Sequence, residues 1–193
     1  MERFLKAKHW QIFMLTIGLP VILEIIAIPF IVMGNNPMVI LKIMPVMMIF
    51  IFAGYFGWSW AVAINLQEKF TDDLKLSVKR FKTFLLIPIV YFVIFFVFFD
   101  LTMHDAIKNG TGPNPADFVW FIPFHLFAMF CIFYCLYFVA KVFKTVELQR
   151  KVTFTDFAGE FFMIWVFFIG IWIIQPKINK MMEDKGNVQK EIV

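Results

Sequence analysis

Apolar positions along the chain fall in long unbroken blocks, not in strand-like alternation or a single helical stripe. Four blocks stand out, at about residues 11–33, 38–64, 83–101 and 118–142. A helix needs about 20 apolar residues to cross hydrocarbon, and each block meets that length, the third most narrowly. Lipid offers no hydrogen-bond partner, so a crossing segment must satisfy its own backbone; Ile, Val and Phe, which favour strands in water, are therefore predicted helical here. The first block is not expected to be a cleaved signal. It is too long, carries Glu24 and lacks a small-x-small site before the next block.

A fifth apolar stretch differs. Its uninterrupted part is Phe161–Ile174, fourteen residues, with Gly170 inside and Gln175-Pro176 closing it. Runs of about 10–14 residues are more often re-entrant, interfacial or buried than spanning. Extending the segment to 157–175 places Glu160 within it. The predicted class is an all-α integral membrane protein forming one membrane domain over 1–193. Four transmembrane helices make two tandem hairpins, followed by a re-entrant, interfacial or fifth spanning segment.

The connection from Leu66 to Lys82 is not a plain loop. Phe70, Leu74, Val78 and Phe81 share one helical face, opposite mostly charged positions, and Thr71, Asp72 and Asp73 suit a helix start. This predicts an amphipathic helix on the cytoplasmic interface, lying on lipid or on other protein. The other two connections resemble each other. Gly34-Asn35-Asn36-Pro37 is echoed by Gly112-Pro113-Asn114-Pro115 at an offset of 78, an offset that Pro45 and Pro123 share. Arg3-Phe4 and Arg80-Phe81 recur at 77. Either the hairpins are parallel repeats with a proline kink in each second helix, or Gly, Asn and Pro simply recur at membrane turns.

Composition agrees with the pattern. The 193 residues are 61% hydrophobic and 17% charged, and the mean hydropathy is +0.79. Ordinary soluble domains are nearer half apolar and a quarter charged. That excludes a soluble enzyme, a disordered chain and a nucleic-acid-binding module. The pI near 9.1 reflects orientation in the bilayer, not nucleic acid. Most of the eighteen Lys and Arg residues flank the blocks, and only Lys42 and Lys108 fall toward the outer side if the fifth stretch does not cross. The positive-inside rule then places the N-terminus in the cytoplasm. It also favours a cytoplasmic tail, although a last helix can tolerate a basic tail outside.

Few residues suggest chemistry. Glu24 lies near the middle of the first block, where an ionised group costs several kcal/mol unless paired, neutralised or hydrated. It reads either as a proton- or cation-binding carboxylate on a transport path, or as a glutamate that fixes helix pairing. Lys42, inside the second block, is long enough to snorkel part of the way. Asp100, His104, Asp105, Asp117 and His125 fall toward the predicted outer face. Together they suggest a divalent-cation or acid–base site, or plain polar residues at wet helix ends. Their spacing matches no zinc motif. Asn109-Gly110-Thr111 fits a glycosylation acceptor. Cys131 and Cys135 share a helix face and read as small core residues. No phosphate-cradling Gly loop, nucleophile elbow or haem-ligand pair is present, so no cofactor is expected.

The segment Glu160-Phe161-Phe162 through Gly170-Ile171-Trp172 to Gln175-Pro176-Lys177-Ile178-Asn179 resembles small uncharacterised multi-span membrane proteins of Bacteroidota. The likeness begins near Lys144-Thr145-Val146-Glu147-Leu148 and covers about forty residues. It implies a bacterial inner membrane and no particular activity. The leading expectation is a non-catalytic subunit or accessory of a larger envelope assembly, its partners being the bilayer and other membrane subunits or itself. A small oligomeric transporter or channel using Glu24 is the first alternative. A membrane enzyme with the Asp/His cluster is the second.

Overall fold

The structure is a computed structural model that describes residues 2–34, 38–69 and 74–191; the side chains of 2, 31, 38, 40–42, 69 and 184–191 lie outside the description. Helices α1 (Glu2–Lys6) and α2 (His9–Phe13) come first. A π-helical turn, Met14–Gly18, leads into α3 (Leu19–Gly34). Next are α4 (Met38–Asn65), α5 (Val78–Lys108), α6 (Phe121–Leu148), α7 (Phe154–Trp165) and α8 (Phe167–Glu191). No strand occurs among the described residues. Four helical stretches among them are long and apolar enough to cross a membrane: His9–Gly34, Ile43–Glu68, Val78–Lys108 and Phe121–Leu148.

Two expectations need correction. The described part of 66–82 is not one amphipathic helix. Leu66–Lys69 is a 3-10 turn, residues 75–77 are not helical, and Val78 already belongs to α5. Phe70, Thr71, Asp72 and Asp73, which carried part of that reading, lie outside the described residues. The helical spacing at Val78 and Phe81 was real but belonged to the start of the long helix. Likewise, Pro45 and Pro123 do not hold equivalent places. Pro45 is inside α4, whereas Pro123 falls in the first turn of α6, where a missing N–H removes no helical bond. Asn114 accepts from the Ala116 N–H at 3.1 Å and caps the 3-10 turn Pro115–Phe118, not α6 itself. The matching motif at 35–37 lies outside the described residues.

Helix α5 runs past the predicted 101 to Lys108 and ends in a glycine cap. Gly110 has φ +66, its N–H bonds Ile107 O at 3.1 Å, and the Thr111 N–H bonds Ala106 O at 2.9 Å. This is the Schellman arrangement, which satisfies the last carbonyls of the helix. The acceptor-like tripeptide Asn109-Gly110-Thr111 is thus a helix stop.

The chain divides into two compact units, 79–135 and the remainder (1–78 with 136–193), where the sequence predicted one domain. Within 79–135, aromatic side chains zip α5 against the first half of α6. Phe84 meets Tyr134, Tyr91 meets Phe121 and His125, and Phe98 meets Phe121. Each step forward on α5 matches a step back on α6, so the pair is antiparallel. Ring edges meeting ring faces add about 0.5–1.5 kcal/mol per pair beyond area burial.

In the other unit α3 packs on α4, and α1 packs on α4 and α8. The π turn precedes Pro20, whose ring would clash with the carbonyl four residues back in a tighter helix. Gly54 lets α4 approach that turn, since a Cβ there would lie 2.1 Å from Thr16 Oγ1. Helices α7 and α8 are separated by Val166 alone, whose ψ of 60 breaks the helix. There the chain folds back. A Cβ on Gly170 would stand 1.8 Å from Met163 O, whereas residues seven apart in a straight helix are about 10 Å apart at about 1.5 Å per residue. The apolar stretch 157–175 is therefore a broken helical hairpin and not one continuous rod.

Candidate functional site

Glu24 projects from the middle of the His9–Gly34 stretch and is exposed, with no ion-pair partner among the described residues. It forms part of the wall of a cavity of about 350 Å³ between α3 and α4, with Ala27, Ile43, Met44 and Met48. A second cavity of about 370 Å³ adjoins it, because Met47 and Ile51 line both. Its other walls include Thr16, Pro20 and Tyr55, and Trp165 and Phe167 from the α7–α8 turn. Thr16, from the π turn, has its Oγ1 already committed, donating to Ile12 O at 2.8 Å. Among the described residues Glu24 is thus the one acidic side chain lining the two cavities, whose walls are otherwise mostly apolar. The side chain of Lys42, the other intramembrane polar residue singled out in the sequence, lies outside the described residues.

The predicted Asp/His cluster is not assembled. Asp100, His104 and Asp105 are exposed on the last turns of α5, where Asp100 and His104 share a face. His125 sits elsewhere, its Nδ1 3.1 Å from the Tyr91 hydroxyl. Tyr91 precedes Asp100 by nine positions and His104 by thirteen, which is about 14 and 20 Å along α5. Asp117 is exposed in the 3-10 turn before α6. No group of three or more His, Cys, Asp or Glu fit for a metal ion occurs among the described residues. The antiparallel register explains this, because it pairs the start of α6 with the middle of α5.

The best-built polar site was not foreseen. Gln175 is 0% exposed. Its Oε1 accepts from Trp58 Nε1 at 2.8 Å. Its Nε2 lies within donating distance of the carbonyls of Phe4, Leu5 and Ala7, at 3.1, 3.2 and 2.8 Å. Asn179, one turn on, donates to Leu5 O and Ala7 O. Those carbonyls are free because α1 stops at Lys6 and α2 begins at His9, so the end of α1 is capped from α8. A glutamine closing an apolar run, followed by Asn179 on the same face, was the available signal.

A second polar set joins α6, α7 and α8. Lys144 Nζ donates to Glu147 Oε2 at 2.6 Å and to Glu160 Oε1 at 2.9 Å, and Lys177 approaches Glu147 at 3.4 Å. Glu160, the acid within the fifth stretch, is therefore paired. At the α7 start, Asp156 accepts from Arg150 and from the Thr153 backbone and hydroxyl. The Arg150 contact, then the Thr153 bonds, hold the Asp156 carboxyl well below the usual carboxylate range. Both sets are internally satisfied and hold elements together. Comparison with known protein families, characterised proteins and solved structures returns no match.

Proposed function

We propose that the chain is a multi-pass membrane protein acting as a non-catalytic subunit of a larger envelope assembly. One observation carries this reading: Glu24 stands exposed at mid-span without a partner among the described residues. A carboxyl facing hydrocarbon costs several kcal/mol, so that face of α3 calls for cover by protein, from another subunit or a second copy.

In this reading four helices cross and the N-terminus is cytoplasmic. The α7–α8 hairpin is re-entrant. Twelve-residue α7 is about 18 Å long, short of the roughly 30 Å of hydrocarbon, and a turn at Val166 returns the tail to the side it came from. The crowding of Lys and Arg beside that side supports the same topology. The resemblance of residues 144–179 supports a bacterial inner membrane as the location in this reading.

The test is purification in mild detergent with and without Glu24→Gln. A larger species for the wild type, falling to a single chain in E24Q, is the expected result. A monomeric wild type, both in detergent and by photobleaching in the membrane, overturns it. For topology, cysteines at positions 3 and 185 should be shielded together from an impermeant maleimide in intact cells. The second reading, a small oligomeric transporter, is favoured by the cavity beside Glu24.

A further inference from the structure

We propose that the groove between α3 and α4 is a binding site for a lipophilic cation, an amine or onium centre carrying a bulky apolar body. The two adjoining cavities, about 350 and 370 Å³, each fall in the range of about 300–1,000 Å³ typical of small-molecule sites. Their linings give the ligand's chemistry. Met44 and the pair Met47 and Met48 stand on adjacent turns of α4, and Ile43, Ile51 and Ala27 complete an almost wholly apolar wall. Methionine thioethers are flexible and polarisable, which suits them to apolar bodies of differing shape. The exception to this lining is Glu24.

An ionisable acid on an apolar wall selects by charge. A neutral ligand leaves the carboxyl with no partner, and an anion meets repulsion where little water screens it. A cation pairs with the carboxylate and replaces the hydration both lost, while its apolar body displaces lipid or void along Met47 and Ile51. The body has room to extend toward Trp165 and Phe167 at the α7–α8 turn. There aromatic rings offer large apolar faces against that body. All these residues belong to one compact unit of one chain, so the site does not depend on the assembly proposed above.

The experiment uses the full chain in lipid nanodiscs, titrated with radiolabelled tetraphenylphosphonium. Tetraphenylborate, the same shape with opposite charge, is the counter-probe, and empty nanodiscs correct for partition. The wild type should bind the cation saturably and the anion not at all. Glu24→Gln should weaken binding at least about tenfold, the usual effect of losing a charged partner, and Glu24→Asp should retain most of it. Met47→Trp, which fills the junction of the two cavities, should abolish binding while Glu24 remains. Equal cation affinity in E24Q, or saturable tetraphenylborate binding of similar strength, overturns the proposal. If E24Q does not fold, M47W and the counter-probe still decide. Because oligomeric state is read separately, loss of assembly and loss of the site are distinguishable.

Discussion

The indole nitrogen of Trp58 donates to the side-chain oxygen of Gln175 at 2.8 Å, across 117 positions of sequence, and neither side chain reaches solvent. The amide is oriented by that bond, so its NH₂ group faces the carbonyls at the α1–α2 break. Replacing Gln175 by Leu leaves one indole N–H and three carbonyls without this partner. We expect a loss of about 3 kcal/mol, since each buried polar group left unsatisfied costs about 1–3 kcal/mol. Trp58→Phe should cost less, about 1–2 kcal/mol, because the amide keeps its carbonyl bonds. Thermal unfolding in detergent of both single variants and the double variant checks this. The double variant should lose less than the two single losses combined, as expected for residues in one network.

Gly170 and Gly159 form a matched pair for testing the fold-back. A Cβ at Gly170 collides with the Met163 carbonyl, a backbone atom that cannot swing away, whereas a Cβ at Gly159 meets nothing within 4 Å. Gly170→Ala should destabilise by about 2–4 kcal/mol and open the hairpin, as overpacking against backbone does. Gly159→Ala, at an exposed site inside α7, should stabilise by about 0.5–1 kcal/mol through better helix propensity. A cysteine pair across the two arms, cross-linked before and after each change, reads the opening directly. Unchanged cross-linking and stability in G170A would refute the geometry.

Lys144 is held between Glu147 and Glu160, and Glu160 is only 8% exposed. Removing the lysine strands Glu160 and leaves Glu147 only its longer contact with Lys177, whereas removing Glu160 leaves Lys144 paired with Glu147. Lys144→Met should therefore cost about 2–3 kcal/mol and Glu160→Gln distinctly less. Protease resistance of the α6–α7 connection, compared between the two variants, provides the measurement. Equal effects would show that Lys144 and Glu160 act as an isolated pair.

Much of this architecture was legible from the chain, and the misses share a cause. Block length and apolar content located all four long helices, because a stretch such as the one from Phe92 to Phe99 has no polar face to expose. Boundaries were harder. The apolar count placed the end of α5 near Leu101, but Gly110 sets it, since a helix persists through polar residues until a residue able to adopt positive φ stops it. Glu24 was visible because charge within an apolar block is conspicuous, although the cavity beside it depends on how α3 meets α4. Gln175 was invisible as a hub, because its partners lie near the other end of the chain. The Asp/His grouping failed for the same reason. Depth in a hairpin follows from register, and register here is set by aromatic contacts such as Tyr91 with Phe121, which no local spacing encodes.

The start of α7 should respond to acid, and the sign follows from Asp156. Its carboxyl lies below the ordinary carboxylate range in the folded chain because Arg150, then Thr153, bond its ionised form. A group whose folded pKa is depressed adds stability above its unfolded pKa, near 3.9 for aspartate, and loses it as pH falls toward the folded value. The cap should therefore be intact at neutral pH and release below about pH 4. Hydrogen exchange at residues 154–157, followed from pH 7 to 2 and corrected for intrinsic rates, should show protection falling over that window. Asp156→Asn should be less protected at neutral pH and show a smaller fall, since Asn still caps through its oxygen but lacks the charge that Arg150 meets. Protection in the wild type that stays level to pH 2 would mean that the Arg150 and Thr153 bonds do not hold this turn.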